Sequence, residues 1–189
     1  MPLNHLNING FKNITHNYSK QIWVKIEEMM VKESYPITPA VRVLQSKKVP
    51  FTPHSYTYEE HGGTRQAAAL LRVPEHEVIK TLVFETDSRQ PFLVLMHGDQ
   101  EVSTKQLART LEVKRLGPCD PASAQRHTGY QVGGISPFGT KKELPVYAEK
   151  TILSLERIFI NGGKRGFLVE ISPQDLKKAL PIKEVEAAL

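Results

Sequence analysis

A glycine-rich segment in the second half of the chain offers backbone groups that could take part in chemistry. Residues 129–139 read GYQVGGISPFG, and Gly133 and Gly134 let the backbone approach a ligand closely because glycine has no Cβ. Free N–H groups in such a loop can stabilise a carbonyl oxygen that becomes negative in a transition state. The segment therefore predicts either an oxyanion-binding loop or a plain connection.

Lys80 is a second candidate, because it is the charged residue of an otherwise apolar stretch. Residues 78–84 read VIKTLVF, which predicts a buried strand. A charge in such a strand is costly unless it is paired or lines a cleft. Lys80 therefore either lines a cleft or lies on the solvent face of the strand.

Residues 161–166, which read NGGKRG, combine glycines with two cations, Lys164 and Arg165. This combination is typical of a tight turn with solvated charges, or of a backbone nest that holds a phosphate. Neither of the common glycine-rich nucleotide-binding motifs occurs in the chain.

Other catalytic chemistries fit the sequence poorly. The segment around Ser136 differs by one residue from the spacing of a nucleophile elbow, and Pro137 has no N–H to donate directly after the serine. A serine esterase is therefore disfavoured. The seven histidines form no close pair and the single cysteine, Cys119, stands apart, so the sequence predicts no metal site.

Composition limits the class of protein. Of the 189 residues 40% are apolar, which is enough for a packed core. One cysteine excludes an intramolecular disulfide framework and suits a reducing compartment. We expect a cytoplasmic protein, because no apolar run could span a bilayer and no secretory signal is evident. The net charge of +5 favours a polyanion such as RNA, although a solvated basic surface explains it equally well.

Helices and strands alternate along the predicted fold, which places it in the mixed α/β class. Helix starts are predicted at Thr38-Pro39, Thr64, Ser103, Asp120-Pro121 and Ser172-Pro173. Strands are predicted over residues 51–58, 79–84, 92–96, 157–160 and 167–171, the third of them buried on both faces. Residues 1–36 are predicted to form an extension with one amphipathic helix that begins at Ser19, and residues 37–189 are predicted to form the main domain.

Three of these stretches together resemble the YbaK/EbsC family. They are residues 79–82 (IKTL), residues 128–139 (TGYQVGGISPFG) and residues 161–166 (NGGKRG), and the resemblance runs from about Thr38 to Leu180. The family includes free-standing aminoacyl-tRNA deacylases and the editing domain inserted in bacterial prolyl-tRNA synthetases. The resemblance implies a barrel-like mixed β-sheet surrounded by helices.

The resemblance also implies trans-editing, the hydrolysis of the ester that joins a wrong amino acid to a tRNA. A Cys-tRNA(Pro)-like or Ala-tRNA(Pro)-like substrate is expected, with no cofactor and no metal. The expected partners are aminoacyl-tRNA and, second, an aminoacyl-tRNA synthetase, but neither DNA nor a membrane, and the protein is expected as a monomer or homodimer. The alternative is a non-catalytic module of the same fold that binds tRNA or a synthetase.

The motifs carry the family's site residues onto this sequence. Lys80, Gly133 and Gly134 are the expected catalytic residues. The expected substrate-binding residues are Tyr56, Thr81, Ile135, Ser136, Pro137, Asn161, Gly162 and Gly163. The basic residues Lys141, Lys142, Lys164 and Arg165 are candidates for tRNA phosphates. Cysteinyl-tRNA deacylases of the YbaK type carry serine where this chain has Asn161, and aspartate where it has Leu168.

Overall fold

The computed structural model describes residues 35–189, which form a mixed sheet with five helices. The strands are β1 Thr52–Ser55, β2 Val78–Thr86, β3 Pro91–His97, β4 Leu116–Pro118, β5 Val146–Glu149, β6 Ile158–Lys164, β7 Phe167–Ile171 and β8 Ile182–Val185. The helices are α1 Pro39–Ser46, α2 Gly63–Leu71, α3 Thr104–Thr110, α4 Pro121–Thr128 and α5 Pro173–Ala179, with short 3-10 helices at Glu75–Glu77 and Lys150–Ser154. The amphipathic helix predicted from Ser19 lies outside the described residues.

Four of the five helices in this part of the chain begin where the capping signals predict. The capping residues are Thr38 for α1, Ser103 for α3, Asp120 for α4 and Ser172 for α5. The Asp120 carboxylate, for example, accepts the N–H of Ser123 at 2.9 Å. Such bonds satisfy first-turn N–H groups that have no acceptor inside the helix.

Helix α2 is the exception, and the prediction that Thr64 caps it is wrong. Gly62 precedes the helix and Thr64 lies within its first turn. The Thr64 hydroxyl lies 2.8 Å from Glu75 Oε1 and 3.2 Å from the carbonyl oxygen of Gly98. The Thr64 hydroxyl therefore bonds to two acceptors that only the tertiary structure brings near, and it does not cap the helix.

Strand β2 is the centre of the sheet. The strand order is β1-β7-β6-β2-β3-β5-β8, and β4 also pairs with β2. Strands β3 and β4 lie antiparallel to β2, whereas β6 lies parallel to it. The mixed α/β class predicted from the sequence is confirmed.

Several strand limits differ from the prediction. The strand predicted over residues 51–58 ends at Ser55, so Tyr56 and Tyr58 follow it. Strands β4, β5 and β8 were not predicted at all. Each has only three or four residues, and each is defined by pairing with a strand distant in sequence, as Leu116 pairs with Thr86. Such short segments carry little periodicity of their own.

Two apolar clusters fix β2 in place. On one side, Ala67 and Ala68 of α2 pack with Val78, Phe159 and Leu168. A second cluster of buried residues joins Phe84, Phe92, Val94, Met96, Leu107, Val185 and Ala187. Between them, residues 80–82 of β2 are only half-buried.

Among residues 35–189, none of the helices combines the length and the apolar character that a membrane span requires.

His97 ends β3 and is fully buried. Its ring stacks on that of His76 with centroids 3.6 Å apart, and its two nitrogens lie 2.7 Å from the carbonyl oxygen of His76 and 2.8 Å from Thr151 Oγ1. Burial lowers the pKa of His97 below 6.5, and the carboxylates of Asp99 and Glu149 oppose this only in part. The folded protein therefore holds His97 neutral.

This histidine should make the protein less stable in mild acid. The unfolded chain takes up a proton at His97 below about pH 6.5, whereas the folded chain resists it, so stability is lost as pH falls from about 6.5 towards the lower folded-state pKa. We expect the Tm of His97→Gln to fall less between about pH 7.5 and pH 5.5 than that of the wild type. His61→Asn, at an exposed position, is the control. If the Tm of all three proteins falls equally with pH, His97 is not the source of the acid sensitivity.

Candidate functional site

A cleft of about 560 Å³ opens where the middle of β2 faces the N-terminal end of α2, the glycine-rich segment 129–139 and the β6–β7 hairpin. Its wall includes Tyr56, Tyr58, Ala67, Val78, Lys80, Thr81, Cys119, Val132, Gly133, Ile135, Asn161, Arg165 and Leu168. We call residues 129–139 the glycine loop. The cleft thus joins Lys80 and the glycine loop, the two features that the sequence singled out independently.

Lys80 lies at the half-buried centre of β2, opposite Met96 of β3. Its ammonium group donates to the carbonyl oxygen of Gln100. Burial lowers the pKa of Lys80, and the carboxylates of Glu101, Glu75 and Asp99 oppose that effect. An ammonium has three N–H donors, and Gln100 is its one hydrogen-bond acceptor among residues 35–189, so two donors remain for a ligand.

The turn that receives Lys80 is itself anchored. Asp99 lies 2.9 Å from Nδ1 of His76, and the N–H of Gln100 donates to the carbonyl oxygen of His97 at 3.3 Å. The Thr64 hydroxyl reaches the same turn through the carbonyl oxygen of Gly98. The acceptor of the Lys80 ammonium is therefore held by contacts from α2, β3 and the segment before β2.

Gly133 presents its backbone at the surface of the cleft. Its φ of +86° favours glycine, and a Cβ at this position would lie 2.8 Å from the hydroxyl of Tyr58. The Gly133 N–H has no hydrogen-bond partner among the described residues. A backbone N–H without a partner beside a cleft can donate a hydrogen bond to a developing oxyanion.

Gly134 has a different role from the one expected. Its N–H donates to the carbonyl oxygen of Gln131 at 2.9 Å. Of the two glycine N–H groups that were expected to face a substrate, only that of Gly133 has no partner among the described residues. A Cβ on Gly134 would lie 2.8 Å from the backbone nitrogen of Arg165. Gly134 therefore permits the glycine loop to pack directly on the backbone of the β6–β7 hairpin.

Two side chains of the hairpin hold the glycine loop from the other side. Asn161 Nδ2 donates to the carbonyl oxygen of Gly133 at 3.2 Å, and Arg165 Nε donates to that of Val132 at 2.8 Å. The guanidinium of Arg165 also lies over the ring of Tyr58, 5.1 Å from its centroid. Tyr58 was not among the predicted site residues, because the sequence indicated only that it belongs to a strand over residues 51–58.

The phosphate nest suggested by residues 161–166 does not form in the expected way. The N–H groups of Gly163 and Lys164 both donate to Asn161 Oδ1, at 2.7 and 3.2 Å. These are the amides that a phosphate nest would need. Residues up to Lys164 belong to β6, with a register irregularity between Asn161 and Lys164, so the turn itself is short.

The predicted substrate-binding residues divide into two groups. Tyr56, Thr81, Ile135 and Asn161 line the cleft. Ser136, Pro137, Gly162 and Gly163 lie outside its wall. Ser136 is fully buried and accepts the N–H of Phe138 at 3.3 Å, and a Cβ on Gly162 would meet the ring of Phe167 at 2.4 Å. The second group supports the wall of the cleft and does not form it.

The four basic residues expected to contact phosphate all lie at the surface. Lys164 and Arg165 border a second hollow of about 310 Å³ between the glycine loop and the hairpin, together with Gly129 and Gln131. The Lys141 side chain lies beside Gly129, 3.5 Å from where a Cβ on that residue would be. Lys142 is held to α4 through its N–H, which donates to the carbonyl oxygen of His127 at 3.0 Å.

Side chains that could act as nucleophiles are poorly placed for it. Burial, with the carboxylates of Glu85 and Asp120, raises the pKa of the Cys119 thiol to about 11, so the thiolate is scarce at neutral pH. The hydroxyl oxygen of Thr81 is buried and has no hydrogen-bond partner among the described residues. Within residues 35–189, no three His, Cys, Asp or Glu side chains are grouped to hold a metal ion.

Comparison with known proteins connects this site to one family. The family model described as the aminoacyl-tRNA editing domain matches residues 59–179. The chain is 29% identical to the Enterococcus faecalis protein named "Putative Cys-tRNA(Pro)/Cys-tRNA(Cys) deacylase EbsC", over 77% of this chain and 90% of that protein. It is 27% identical to a proline–tRNA ligase of Streptococcus suis over 74% of this chain but only 21% of the ligase.

Solved structures share the fold. The crystal structure titled as that of "a putative trans-editing enzyme for prolyl tRNA synthetase" aligns with a TM-score of 0.69 at 19% identity, over 82% of this chain and 99% of the other. That of a hypothetical protein aligns with a TM-score of 0.74 at 20% identity, over 80% of this chain and 100% of the other. At this level of identity the likeness concerns the fold alone.

The backbone at Gly133 should tolerate no side chain. Gly133→Ala places a Cβ against Tyr58 at a strained φ, and we expect a loss of about 1–3 kcal/mol in the free energy of unfolding. Gly117→Ala is the matched control, because a Cβ there meets nothing within 4 Å. Denaturant unfolding measures both. Adding Tyr58→Phe to Gly133→Ala should recover part of the loss, and equal stabilities for Gly133→Ala and the control would contradict the assignment.

Proposed function

The chain belongs to the aminoacyl-tRNA editing domain family, and from that membership we propose that it hydrolyses the ester of a wrongly charged aminoacyl-tRNA. The observation that carries the proposal is that Lys80 and Gly133 line the same cleft. The N–H of Gly133 has no hydrogen-bond partner among the described residues. A cation and an N–H donor in the walls of one cavity can hold an ester group by its two oxygen atoms.

The proposed reaction needs placement more than strong catalytic groups, because an aminoacyl ester is already activated. Water, or a nucleophilic group of the substrate, adds to the carbonyl carbon while the Gly133 N–H donates to the carbonyl oxygen as it becomes negative. The bond from that carbon to the ribose oxygen then breaks, and the ribose leaves as a hydroxyl with the proton of the attacking group. Lys80 holds the terminal nucleotide or stabilises the developing charge.

The lining of the cleft favours a small amino acid. Ala67, Val78 and Leu168 form an apolar part of the wall and belong to one buried cluster. Leu168 stands where YbaK-type cysteinyl-tRNA deacylases carry aspartate, so an apolar wall replaces a carboxylate there. A Cys-tRNA(Pro)-like or Ala-tRNA(Pro)-like substrate fits this wall, and the apolar replacement favours the alanyl ester. Near-isosteric side chains differ by only about 1–3 kcal/mol in such a pocket.

A non-catalytic tRNA- or synthetase-binding module is the second candidate. The exposed Lys141 and Lys142, and Lys164 at the smaller hollow, support tRNA binding in either case. The Lys80 ammonium and the Gly133 N–H, which has no partner within residues 35–189, favour the enzyme, since a cation and an N–H donor at one cleft can stabilise the charge that develops on an ester. Turnover on alanyl-, cysteinyl- and seryl-tRNA, assayed side by side, separates the two.

Lys80 is the most direct test of the proposed reaction. Lys80→Ala removes the ammonium from the cleft, and we expect deacylation to fall at least about 100-fold, the loss typical of a missing charge-stabilising donor. Affinity for uncharged tRNA should change little. Lys105→Ala, at an exposed position of α3, is the control and should retain wild-type turnover. Full activity of Lys80→Ala would refute the role.

Binding of tRNA phosphates should appear in the salt dependence of affinity. Lys141→Glu and Lys164→Glu together should reduce the slope of log affinity against log salt by about 0.7–0.9 for each phosphate that is no longer neutralised, because fewer counterions are released. Lys105→Glu makes a charge reversal away from both cavities. If the double variant and this control show the wild-type slope, Lys141 and Lys164 are ordinary solvated charges.

A further inference from the structure

We propose that Tyr58 and Arg165 form a stacking platform that receives the terminal nucleobase of the substrate. The inference rests on the proposed function, since an aminoacyl-tRNA presents a nucleoside directly beside the ester. The sequence did not predict that these two residues meet, and it offered Arg165 only as a phosphate ligand. The platform is defined by these two side chains, and the exposed Val132 lies beside it in the same cleft.

Arg165 is held in one orientation before any ligand binds. Its Nε donates to the carbonyl oxygen of Val132 at 2.8 Å, and its guanidinium carbon lies 5.1 Å from the centroid of the Tyr58 ring. A guanidinium is planar and stacks on aromatic faces, so the Tyr58 ring covers one face of the Arg165 guanidinium. The residue is exposed, which leaves the rest of the group open to a planar partner.

The platform lies next to the proposed reaction centre. Tyr58, Arg165 and Val132 line the same cleft as Lys80, and Val132 directly precedes Gly133. Val132 is 46% exposed, an apolar surface beside the platform on which a ribose or base can rest. A carbonyl held at Gly133 would therefore leave the attached nucleoside over the Tyr58–Arg165 pair.

A nucleobase suits this arrangement better than a phosphate does. Phosphate recognition by arginine uses a pair of parallel N–H groups, and the side-on pair that includes Nε is already engaged by Val132. Stacking on an aromatic ring or a guanidinium plane needs no free N–H, and every base offers a π-face. The terminal base of a tRNA is unpaired and can therefore be stacked in this way.

Arg165 also holds the glycine loop through Val132, and Tyr58 lies against Gly133, so the test has to separate base binding from loop support. Tyr58→Ala and Arg165→Ala are assayed on one amino acid presented as two esters, one on a CCA-ended tRNA minihelix and one as the ethyl ester, which has no base. We expect kcat/KM on the minihelix to fall about 10- to 100-fold more than on the ethyl ester. Equal losses on both esters, or no loss on either, overturn the platform.

A matched control uses another arginine that lies over an aromatic ring. Arg157 lies 5.4 Å from the centroid of Phe159, and Arg157 is not part of the cleft wall. Arg157→Ala should change the two esters by the same factor. A preferential loss on the minihelix for this variant as well would show that the effect is not specific to the platform, and would overturn it.

Binding gives a readout that does not depend on turnover. Adenosine 5′-monophosphate and ribose 5-phosphate differ only in the base, and calorimetry or NMR titration measures the affinity of the full chain for each. We expect Tyr58→Ala to weaken the nucleotide about tenfold or more and to leave ribose 5-phosphate unchanged. Equal weakening of both ligands would identify a phosphate site and overturn the proposal. If the wild type binds the nucleotide but hydrolyses no aminoacyl ester, the proposed function fails while the platform stands.

Discussion

Two hydrogen bonds attach the glycine loop to the β6–β7 hairpin, and the shape of the cleft depends on them. Asn161 and Arg165 each donate a side-chain N–H to successive loop carbonyls, those of Gly133 and Val132. The two backbones approach so closely that a Cβ on Gly134 would lie 2.8 Å from the nitrogen of Arg165. The glycines are thus required by packing as well as by chemistry, and the loop reaches the cleft only in the conformation that the hairpin imposes.

The opposite wall follows from the burial of β2. Apolar clusters hold both ends of this strand, and its centre carries Lys80 and Thr81 in half-buried positions that polar groups normally avoid. The pKa of Lys80 falls because of burial, and Thr81 lacks a partner among the described residues. Such unfavourable placements persist where surrounding packing enforces them, and they are concentrated at functional sites. The stacked His76 and His97 extend this support to the turn that receives Lys80.

Among the described residues, the cleft offers no readily reactive side chain as a nucleophile, which agrees with the proposed reaction. The serine of the glycine loop is buried and the one cysteine is held as a thiol, so neither can attack a substrate readily. What remains is a cavity lined by a cation, by Gly133, whose N–H has no partner among the described residues, and by apolar side chains. That combination suits an ester that is already reactive, since orientation and charge stabilisation then supply most of the rate.

The sequence by itself predicted four of the helix starts and singled out Lys80 and the glycine loop, which line one cleft. Four helix starts were predictable because a cap is a bond between near neighbours, whereas Thr64 was misread because its acceptors are brought near only by folding. Only the tertiary structure decided which elements meet. It separated Gly133, whose N–H is unpartnered among the described residues, from Gly134, whose N–H closes a turn. It also placed Tyr58 beneath Arg165 and created β4, β5 and β8 through distant pairing. The physical reason is common to all: a side chain's type fixes which bonds it can make, whereas packing of distant segments fixes which partner lies within reach.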